Sequence, residues 1–281
     1  MQSDPELKVV RVCDLVDMSP QNYYARRSAR DRQAVELELV FALVQAEREQ
    51  QPRLGVRKLY HLIGPELKAA GVKIGRDRLF VVLGQKGWLV ARRPALWPKT
   101  TQVDPNLPVF KNLIKRRKLT GRNQVWVADI TYIRTRQAFM YLALITDKWS
   151  RKIVGYHLGE TLGTENVLKA LAPALQGLPS GERPIHHSDR GCQYASHAYV
   201  QAVQGAGLSL SMTETNHSAE NAVAERVNGI LKQEYWLDRE FECRQQARIA
   251  TAQSIHLYNS RRPHTALGFA TPEQVHHATN N

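Results

Sequence analysis

Three acidic residues, Asp129, Asp189 and Glu225, have the side chains and the spacing of a metal site. They lie in VWVADITYI (125–133), IHHSDRGCQY (185–194) and ENAVAERVNGILKQEY (220–235), and 35 residues separate the second acid from the third. Hard divalent cations prefer oxygen ligands, and two Mg²⁺ ions can stabilise both the attacking and the leaving oxygen of a displacement at phosphorus. The three carboxylates therefore predict a site for two Mg²⁺ ions, for which Mn²⁺ can substitute, that acts on nucleic-acid phosphates.

Each acid also has an ordinary interpretation. Asp189 could form a turn and Glu225 could be an exposed helical residue, but Asp129 lies in an apolar segment, where a carboxylate is costly unless it is paired or bound to metal. The helix around Glu225 favours a site, because three further polar residues recur at helical spacing on its face. We expect these residues to lie beside a DNA strand: Asn221, Asn228 and Lys232. His187 is a further candidate next to the site, whereas His186 should point to the opposite face and pack.

The charge distribution points to a polyanionic partner. The net charge is +13, and residues 1–124 hold 24 Lys and Arg against 12 Asp and Glu, whereas residues 125–281 hold 15 against 14. A basic first half is typical of contact with a phosphate backbone, although it can also be only a solvated surface. The candidate DNA-binding cations are Arg76, Arg78, Lys86, Lys115, Arg116, Arg117, Lys118, Arg261 and Arg262.

The elements needed to position the acids can be predicted from hydrophobic patterning. Strands are expected at 125–133, 139–147, 152–158, 183–189 and 208–212, and helices at 164–176, 196–207, 217–236 and 244–259. Pro173 should kink or end the first of these helices early. The order βββαβαβα predicts an α/β fold with a ribonuclease-H-like integrase core, a five-stranded mixed sheet with flanking helices. Asp129 and Asp189 would face one site if their strands are neighbours.

The first ninety residues predict helices alone. Ser19 is a candidate N-cap with Pro20 at the first helical position, followed by a short helix to residue 30 and a second at 31–50. Residues 53–88 should form two or three short helices with breaks at 64–65 and 71–75. The predicted organisation is a helix-turn-helix-like segment (1–30), a helical DNA-binding domain (31–90), a basic linker (91–124), the catalytic core (125–240), and a C-terminal helix with a basic tail (241–281).

Other classes of protein are disfavoured by composition. The three cysteines, Cys13, Cys192 and Cys243, are far apart and form no C-x-x-C pair, which argues against a zinc ribbon or a disulfide framework. The sequence contains no apolar run of about 18 residues, and its N-terminus lacks an apolar signal core. These features predict a cytoplasmic protein, associated with the nucleoid when bound to DNA.

Five linked stretches resemble one family. They are W-x-x-DITYI (126–133), YLALITDKWSRKIVGY (141–156), IHHSDRGCQYAS (185–196), SMTETNHSAENAVAERVNGILKQEY (211–235) and YNSRRPHTALGFATPEQ (258–274). Over roughly residues 40–275 the chain resembles the transposases encoded by the second reading frame (OrfB) of insertion-sequence-three family elements, which belong to the DDE transposases and retroviral-type integrases. The resemblance implies that Asp129, Asp189 and Glu225 form the metal-binding catalytic triad, and that Lys232 lies against DNA near the cut end. Ala219 departs from the family, in which many members carry Tyr at this position.

The resemblance also implies a function and partners. It predicts a DNA transposase that cleaves the ends of an insertion element and joins the 3′-OH to DNA, acting as a homo-oligomer on terminal inverted repeats and target DNA. The family's first reading frame usually supplies a further helix-turn-helix and a leucine zipper. No sustained heptad run occurs here, so we expect the chain to work with that product or as part of a fusion. Two alternatives are a DNA-binding regulator with an idle core and a ribonuclease H acting on RNA–DNA hybrids.

Overall fold

The computed structural model describes residues 5–91, 106–214 and 220–278. A helical N-terminal part precedes an α/β core. Ala219 and residues 92–105 of the predicted linker lie outside the described residues. No helix in the described part combines the length and the apolar character needed to cross a bilayer.

Four helices form the N-terminal part. They are α1 (Pro5–Leu15), α2 (Pro20–Gln50), α3 (Val56–Ala69) and α4 (Arg76–Gln85). The predicted N-cap is confirmed, because the Ser19 hydroxyl accepts from the amide of Asn22 at 3.2 Å with Pro20 at the first position. The predicted division of α2 at residue 30 is wrong: the helix is continuous, since neither Gly nor Pro interrupts it between Pro20 and Gln50.

Helix α3 also passes through a predicted break. It contains Pro65 without ending there, whereas the break at 71–75 is confirmed. Proline removes one helical hydrogen bond, but Leu59, Ile63 and Leu67 recur at four-residue spacing and are buried. These residues pack with Val40 and Val44 of α2 and with buried leucines of α4. A buried apolar stripe therefore maintains the helix across the proline.

A mixed sheet forms the centre of the second part. Its strands are β1 (Val125–Thr135), β2 (Phe139–Asp147), β3 (Ile153–Gly159), β4 (Ile185–Ser188), β5 (Ser209–Met212) and β6 (Glu240–Phe241). The order is β3-β2-β1-β4-β5, with the first three strands antiparallel and with β4 and β5 parallel to β1. The five predicted strands and the meander are confirmed. The two-residue β6, which pairs with β1 in parallel, was not predicted.

Helices cover both faces of the sheet. They are α5 (Thr164–Gln176), α6 (Cys192–Ala195), α7 (His197–Gly205), α8 (Ala222–Glu234), α9 (Arg244–Ser260) and α10 (Pro272–His277), and Thr265–Leu267 forms a 3₁₀ turn. Residues of α5 and α7 pack on one face, and residues of α8 and α9 pack on the other. Pro173 does not end α5 early, because Val167, Ala170 and Ala174 remain buried along its length.

Candidate active site

Asp129 and Asp189 lie at the same level of the sheet. In the parallel β1–β4 pair, Val127 is opposite His187. Two residues further along each segment, Asp129 follows in β1 and Asp189 follows the last residue of β4. The two strands are neighbours, which is the condition for both acids to face one site, and the sheet topology brings two acids 60 residues apart in sequence side by side.

The turn after β4 fixes the backbone around Asp189. The amide of Gly191 donates to Oδ1 of Asp189 at 3.0 Å. A β-carbon at position 191 would lie 3.0 Å from that same oxygen, so a larger residue there would crowd the carboxylate. The Ser188 hydroxyl donates to the Asp189 carbonyl at 2.9 Å, and the Arg190 side chain donates to the Thr213 carbonyl at 2.7 Å. The acid is thus held at the end of its strand by contacts along its own turn.

Helix α8 brings Glu225 to the same region and holds β1 with two amides. Asn228 donates from Nδ2 to Oδ2 of Asp129 at 2.8 Å, and Asn221 donates from Nδ2 to the carbonyl of Ala128 at 3.0 Å. Glu225 lies between these two asparagines along the helix, in its first turn, and is exposed. The polar face predicted for this helix exists, but its two amides face the sheet.

The three acids influence one another electrostatically. Burial and then the charge of Asp189 raise the pKa of Asp129 to about 7, and Glu225 adds a smaller contribution in the same direction. The hydrogen bonds that Asp129 accepts from Asn228 and from the Ile130 amide lower its pKa. Asp129 therefore loses its proton near neutral pH in the absence of a compensating cation.

The donor set fits a hard divalent cation. Carboxylate oxygens are the ligands such ions prefer. The charges of Asp189 and Glu225, which add to the effect of burial on the pKa of Asp129, are charges that a cation would neutralise. Within residues 5–91, 106–214 and 220–278, however, no group of three or more His, Cys, Asp or Glu side chains is close enough to hold an ion. Glu225 is the most exposed of the three acids and would complete the ligand set from the helix.

Lys232 is placed differently from the prediction. We expected a flexible side chain that reaches DNA from an exposed helix face, but Lys232 is only 2% exposed. Its ammonium lies 3.8 Å from the ring centroid of Tyr132. Burial lowers the pKa of Lys232 to about 8, while the charges of Asp129 and Asp238 act in the opposite sense. The side chain is therefore a buried cation packed on Tyr132, whose charge interacts with that of Asp129.

Two further predicted DNA contacts need the same correction. Asn221 is 3% exposed and Asn228 is 6% exposed, and both donate to β1 as described above. Their periodicity correctly indicated one shared face, but α8 packs that face against β1, so these amides position the strand that carries Asp129.

The arginine pair of the C-terminal segment also differs from the prediction. Arg262 is 2% exposed and forms a two-pronged ion pair with Glu234, with both N–O distances at 2.7 Å. Lys58 of α3 donates to the same carboxylate at 3.0 Å. Arg262 is therefore held in a buried ion pair and does not lie on an exposed surface, as the prediction assumed. Arg261 is partly exposed and pairs with Glu47 of α2.

The remaining predicted cations are accessible. Arg76, Arg78 and Lys86 are exposed on or just after α4. The run Lys115, Arg116, Arg117 and Lys118 is also exposed, with Lys115 3.8 Å from Glu214. These placements are compatible with contact to a phosphate backbone.

The histidines next to Asp189 are buried on opposite faces. His186 contacts the Tyr199 hydroxyl through Nε2 at 2.9 Å and packs against aromatic rings, as predicted. His187 contacts the Ser211 hydroxyl through Nδ1 at 2.8 Å and is fully buried. Burial lowers the pKa of both rings to about 4, so both are neutral at pH 7. His187 supports the strand that leads to Asp189.

Two features of the site were missed at the sequence level. The Glu234–Lys58–Arg262 group joins residues from three distant segments, and no local pattern indicates it. Tyr194, in the turn after Asp189, is 2% exposed, and its pKa is raised by burial and, to a smaller extent, by the charges of Tyr199, Asp129 and Asp189. An aromatic residue shortly after a strand-end acid was the only available signal for it.

Comparisons with known proteins agree with this architecture. Two family models, both described as an integrase core domain, match residues 120–218 and 206–272. An uncharacterised 31 kDa protein of insertion element IS600 from Shigella sonnei is 33% identical over 265 residues, covering 93% of this chain and 96% of the relative. The transposase of element IS629, also from Shigella sonnei, is 32% identical over 280 residues, covering 95% of this chain and 90% of the relative.

More distant relatives extend the comparison. The transposase InsF of IS3A from Escherichia coli K12 is 31% identical over 211 residues, covering 74% of this chain and 73% of the relative. A chain of the simian T-cell lymphotropic virus intasome, solved with a PP2A regulatory subunit, superposes with a TM-score of 0.50 at 19% identity, covering 80% of this chain and 76% of that one. This last similarity concerns the fold.

Together these similarities establish the class. The chain belongs to the insertion-sequence transposases that carry an integrase core domain, as the resemblance predicted. It is a DNA transposase of the DDE polynucleotidyl transferase type, with the ribonuclease-H-like fold of integrase cores. Cores of this type generally use divalent metal ions.

Proposed function

We propose that Asp129, Asp189 and Glu225 bind two Mg²⁺ ions with which this transposase cleaves the ends of its element and joins them to target DNA. The observation that carries the proposal is the placement of Asp189 beside Asp129 at the ends of neighbouring segments, where its charge adds to the effect of burial and the pKa of Asp129 rises to about 7. Such a concentration of negative charge at one sheet edge is stable near neutral pH when a cation is present.

The protein's own contribution is to place the ligands. Asn228 fixes one oxygen of Asp129 and the Gly191 amide fixes one oxygen of Asp189, so both carboxylates keep a defined orientation. Asn221 holds the β1 backbone beside Asp129. Bound Mg²⁺ ions would supply stabilisation of the negative charge that develops on the attacking and leaving oxygens.

The chemistry consists of two displacements at phosphorus. In the first, water attacks the phosphodiester at the element end, the bond to the 3′ oxygen breaks, and a free 3′-OH results. In the second, that 3′-OH attacks a phosphodiester of the target, and one phosphodiester replaces another. Each step forms and breaks one P–O bond, and neither requires a covalent bond to the protein.

Lys232 acts in this scheme through charge. Its ammonium lies over the Tyr132 ring, and the charge of Asp129 raises the pKa of Lys232 and so favours its protonated form. The contact with the DNA end that the resemblance implies would require the Lys232 side chain to turn outward.

Partners follow from the exposed cations. We propose that the α3–α4 pair acts as a helix-turn-helix on duplex DNA, with Arg76, Arg78 and Lys86 as contacts, and that the 115–118 run follows the backbone towards the core. The substrates would be the terminal inverted repeats and target DNA, bound by a homo-oligomer in the bacterial cytoplasm, with the first-reading-frame product as a partner or fusion.

A direct assay separates this proposal from its alternatives. The full chain would be incubated with a duplex of the element end and, separately, with an RNA–DNA hybrid of the same sequence, each with Mg²⁺, with Mn²⁺ or with chelator. Metal-dependent nicking and joining of the duplex alone supports the proposal. Binding without nicking would indicate a regulator with an idle core, and cleavage of the hybrid alone would indicate a ribonuclease H.

A further inference from the structure

A cavity of about 270 Å³ lies where the helical N-terminal part, helix α8 and the C-terminal segment meet. Four cationic side chains from four different segments line it: Lys58 of α3, Arg151 of the β2–β3 turn, Arg226 of α8 and Arg262 of the C-terminal segment. No acidic residue is among the residues that line the cavity. We call this cavity the basic pocket.

The cations in the basic pocket are not all neutralised by the protein. Glu234, which lies beside it, is already bonded by both Lys58 and Arg262. Across the described parts of the chain, no carboxylate lies within ion-pair distance of Arg226 or Arg151. The pocket therefore holds an excess of positive charge.

The floor of the basic pocket carries an unpartnered polar group. His264 is 8% exposed, and its Nε2 is buried without a hydrogen-bond partner among the described residues. Its ring is fixed edge-on to Tyr258, with ring centroids 5.1 Å apart. Burial and then the charges of Arg262, Lys58 and Arg151 lower the pKa of His264 to about 3, so the ring is neutral and can donate from one nitrogen. A buried polar atom of this kind normally has a partner, and an anion would supply one.

The rim of the basic pocket is open and borders the candidate active site. Arg226, Thr265 and Ala266 are exposed, whereas Arg262 and His264 are buried below them. Arg226 directly follows Glu225 in α8, so the two side chains are separated by about 100° around the helix axis. A ligand in the basic pocket would thus lie on the next face of the helix that carries the third acid.

We propose that the basic pocket binds one backbone phosphate of the transposon-end DNA, between the helix-turn-helix contacts and the site of cleavage. Oxygen atoms of a phosphodiester suit guanidinium, ammonium and imidazole donors, and a strand that passes from α3 to Glu225 crosses this pocket. The bound phosphate fixes the strand against α8 and so sets its position relative to the three acids. This inference rests on the proposed function, because it assumes that DNA spans both parts of the chain.

The test measures binding of the full-length protein to element-end duplex by fluorescence anisotropy across a salt series, without divalent metal. Arg226→Gln removes one exposed, unpaired charge and should leave the fold intact. Loss of one phosphate contact lowers the slope of log K against log salt by about 0.9. The matched control is Arg136→Gln, an exposed arginine of the core that pairs with Glu242 at 2.7 Å and should leave the slope unchanged.

Ethylation interference locates the phosphate. We expect one phosphate near the cleaved position whose ethylation weakens binding of the wild-type protein but not of the Arg226→Gln variant. Competition between inorganic phosphate and the duplex shows whether the pocket binds any small anion. We expect inorganic phosphate to displace the duplex only at concentrations far above that of the DNA. Equal slopes and identical interference patterns for wild type and Arg226→Gln, in a protein that binds and cleaves the duplex, would overturn this inference alone. A protein that does not bind the duplex would overturn the proposed function with it.

Discussion

The side-chain amide of Asn228 donates to Oδ2 of Asp129 at 2.8 Å, across the interface between helix α8 and strand β1. This bond joins the helix that carries Glu225 to the strand that carries the first acid. It favours the charged form of Asp129, whose pKa burial and Asp189 raise to about 7. Asn228 is therefore a positioning residue that also lowers the pKa of the proposed metal ligand Asp129.

Removal of the Asn228 amide should change the pH profile of cleavage. In Asn228→Ala the pKa of Asp129 should rise further, so the acidic limb of the rate against pH moves to higher pH. The measurement is single-turnover nicking at fixed Mg²⁺ over a pH range that brackets the pKa of Asp129, about 7. Asn221→Ala is the matched control, because the Asn221 amide donates to the backbone carbonyl of Ala128 and not to the Asp129 carboxylate. An equal loss of rate at every pH in both variants would reduce Asn228 to a packing role.

The metal-free protein should become less stable as pH rises through neutrality. The folded pKa of Asp129, about 7, lies above the ordinary value of 3.8, so the folded state retains a proton that the unfolded state releases between these values. This contribution to stability is complete below about pH 4 and is lost as pH rises to about 7. Asp129→Asn should therefore raise Tm in EDTA at pH 8 by a few degrees, for a gain of about 1 to 2 kcal/mol.

The same comparison at pH 5 supplies the control for that prediction. At pH 5 the folded state still keeps the Asp129 proton and only part of the stability has been lost, so the Tm difference between wild type and Asp129→Asn should be clearly smaller than at pH 8. A difference of the same size at both pH values would show that the variant acts through packing and not through the charge of the carboxyl.

Arg262 should contribute strongly to stability. Arg262→Gln leaves Glu234 with only Lys58 in a buried environment, and breaking a buried ion pair typically costs about 3 to 5 kcal/mol. Arg136→Gln is the control, since its exposed pair with Glu242 should contribute about 1 kcal/mol or less. Thermal unfolding measures both. A destabilisation by Arg262→Gln no larger than that by Arg136→Gln would contradict the structural role.

Arg78 should contribute to DNA binding through the α4 surface. The side chain is exposed, and Leu79, Val82 and Leu83 anchor the opposite face of the helix. Arg78→Gln should lower the salt slope of duplex binding by about 0.9 without changing Tm. An unchanged slope would remove Arg78 from the predicted interface and leave α4 without a role for its exposed basic face.

The sequence predicted the elements of the core closely where local patterning decides them. The strand at 139–147 and the helix at 164–176 have the expected limits, because an apolar β-rich run and a helical stripe each identify an element without reference to its neighbours. The placement of Asp129 and Asp189 on adjacent strands followed from the same order of elements. Helix-breaking residues were less informative. Pro65 and Pro173 both lie inside helices, because burial of the apolar face stabilises each helix more than the loss of one hydrogen bond destabilises it.

What could not be predicted is which partner covers a polar face. Periodicity placed Asn221, Asn228 and Lys232 on one side of a helix, but it does not distinguish a face turned to DNA from one packed on β1. Likewise, the bond from Lys58 to Glu234 joins residues separated by 176 positions, and Arg262 joins them from a third segment. Such contacts depend on how the helical part docks on the core, which is a tertiary property.

The central claim is that the three acids form one metal-dependent catalytic unit. The most direct test measures Mg²⁺-dependent nicking and joining of element-end DNA by three variants: Asp129→Asn, Asp189→Asn and Glu225→Gln. Each change removes a metal-binding charge at nearly constant volume, so we expect activity to fall by at least about 1,000-fold, equivalent to about 4 kcal/mol of the barrier. Affinity for the duplex without metal should change by less than about threefold, because the proposed DNA contacts lie elsewhere. Near-normal joining by any one variant, with the protein folded and bound to DNA, would contradict the claim for that residue.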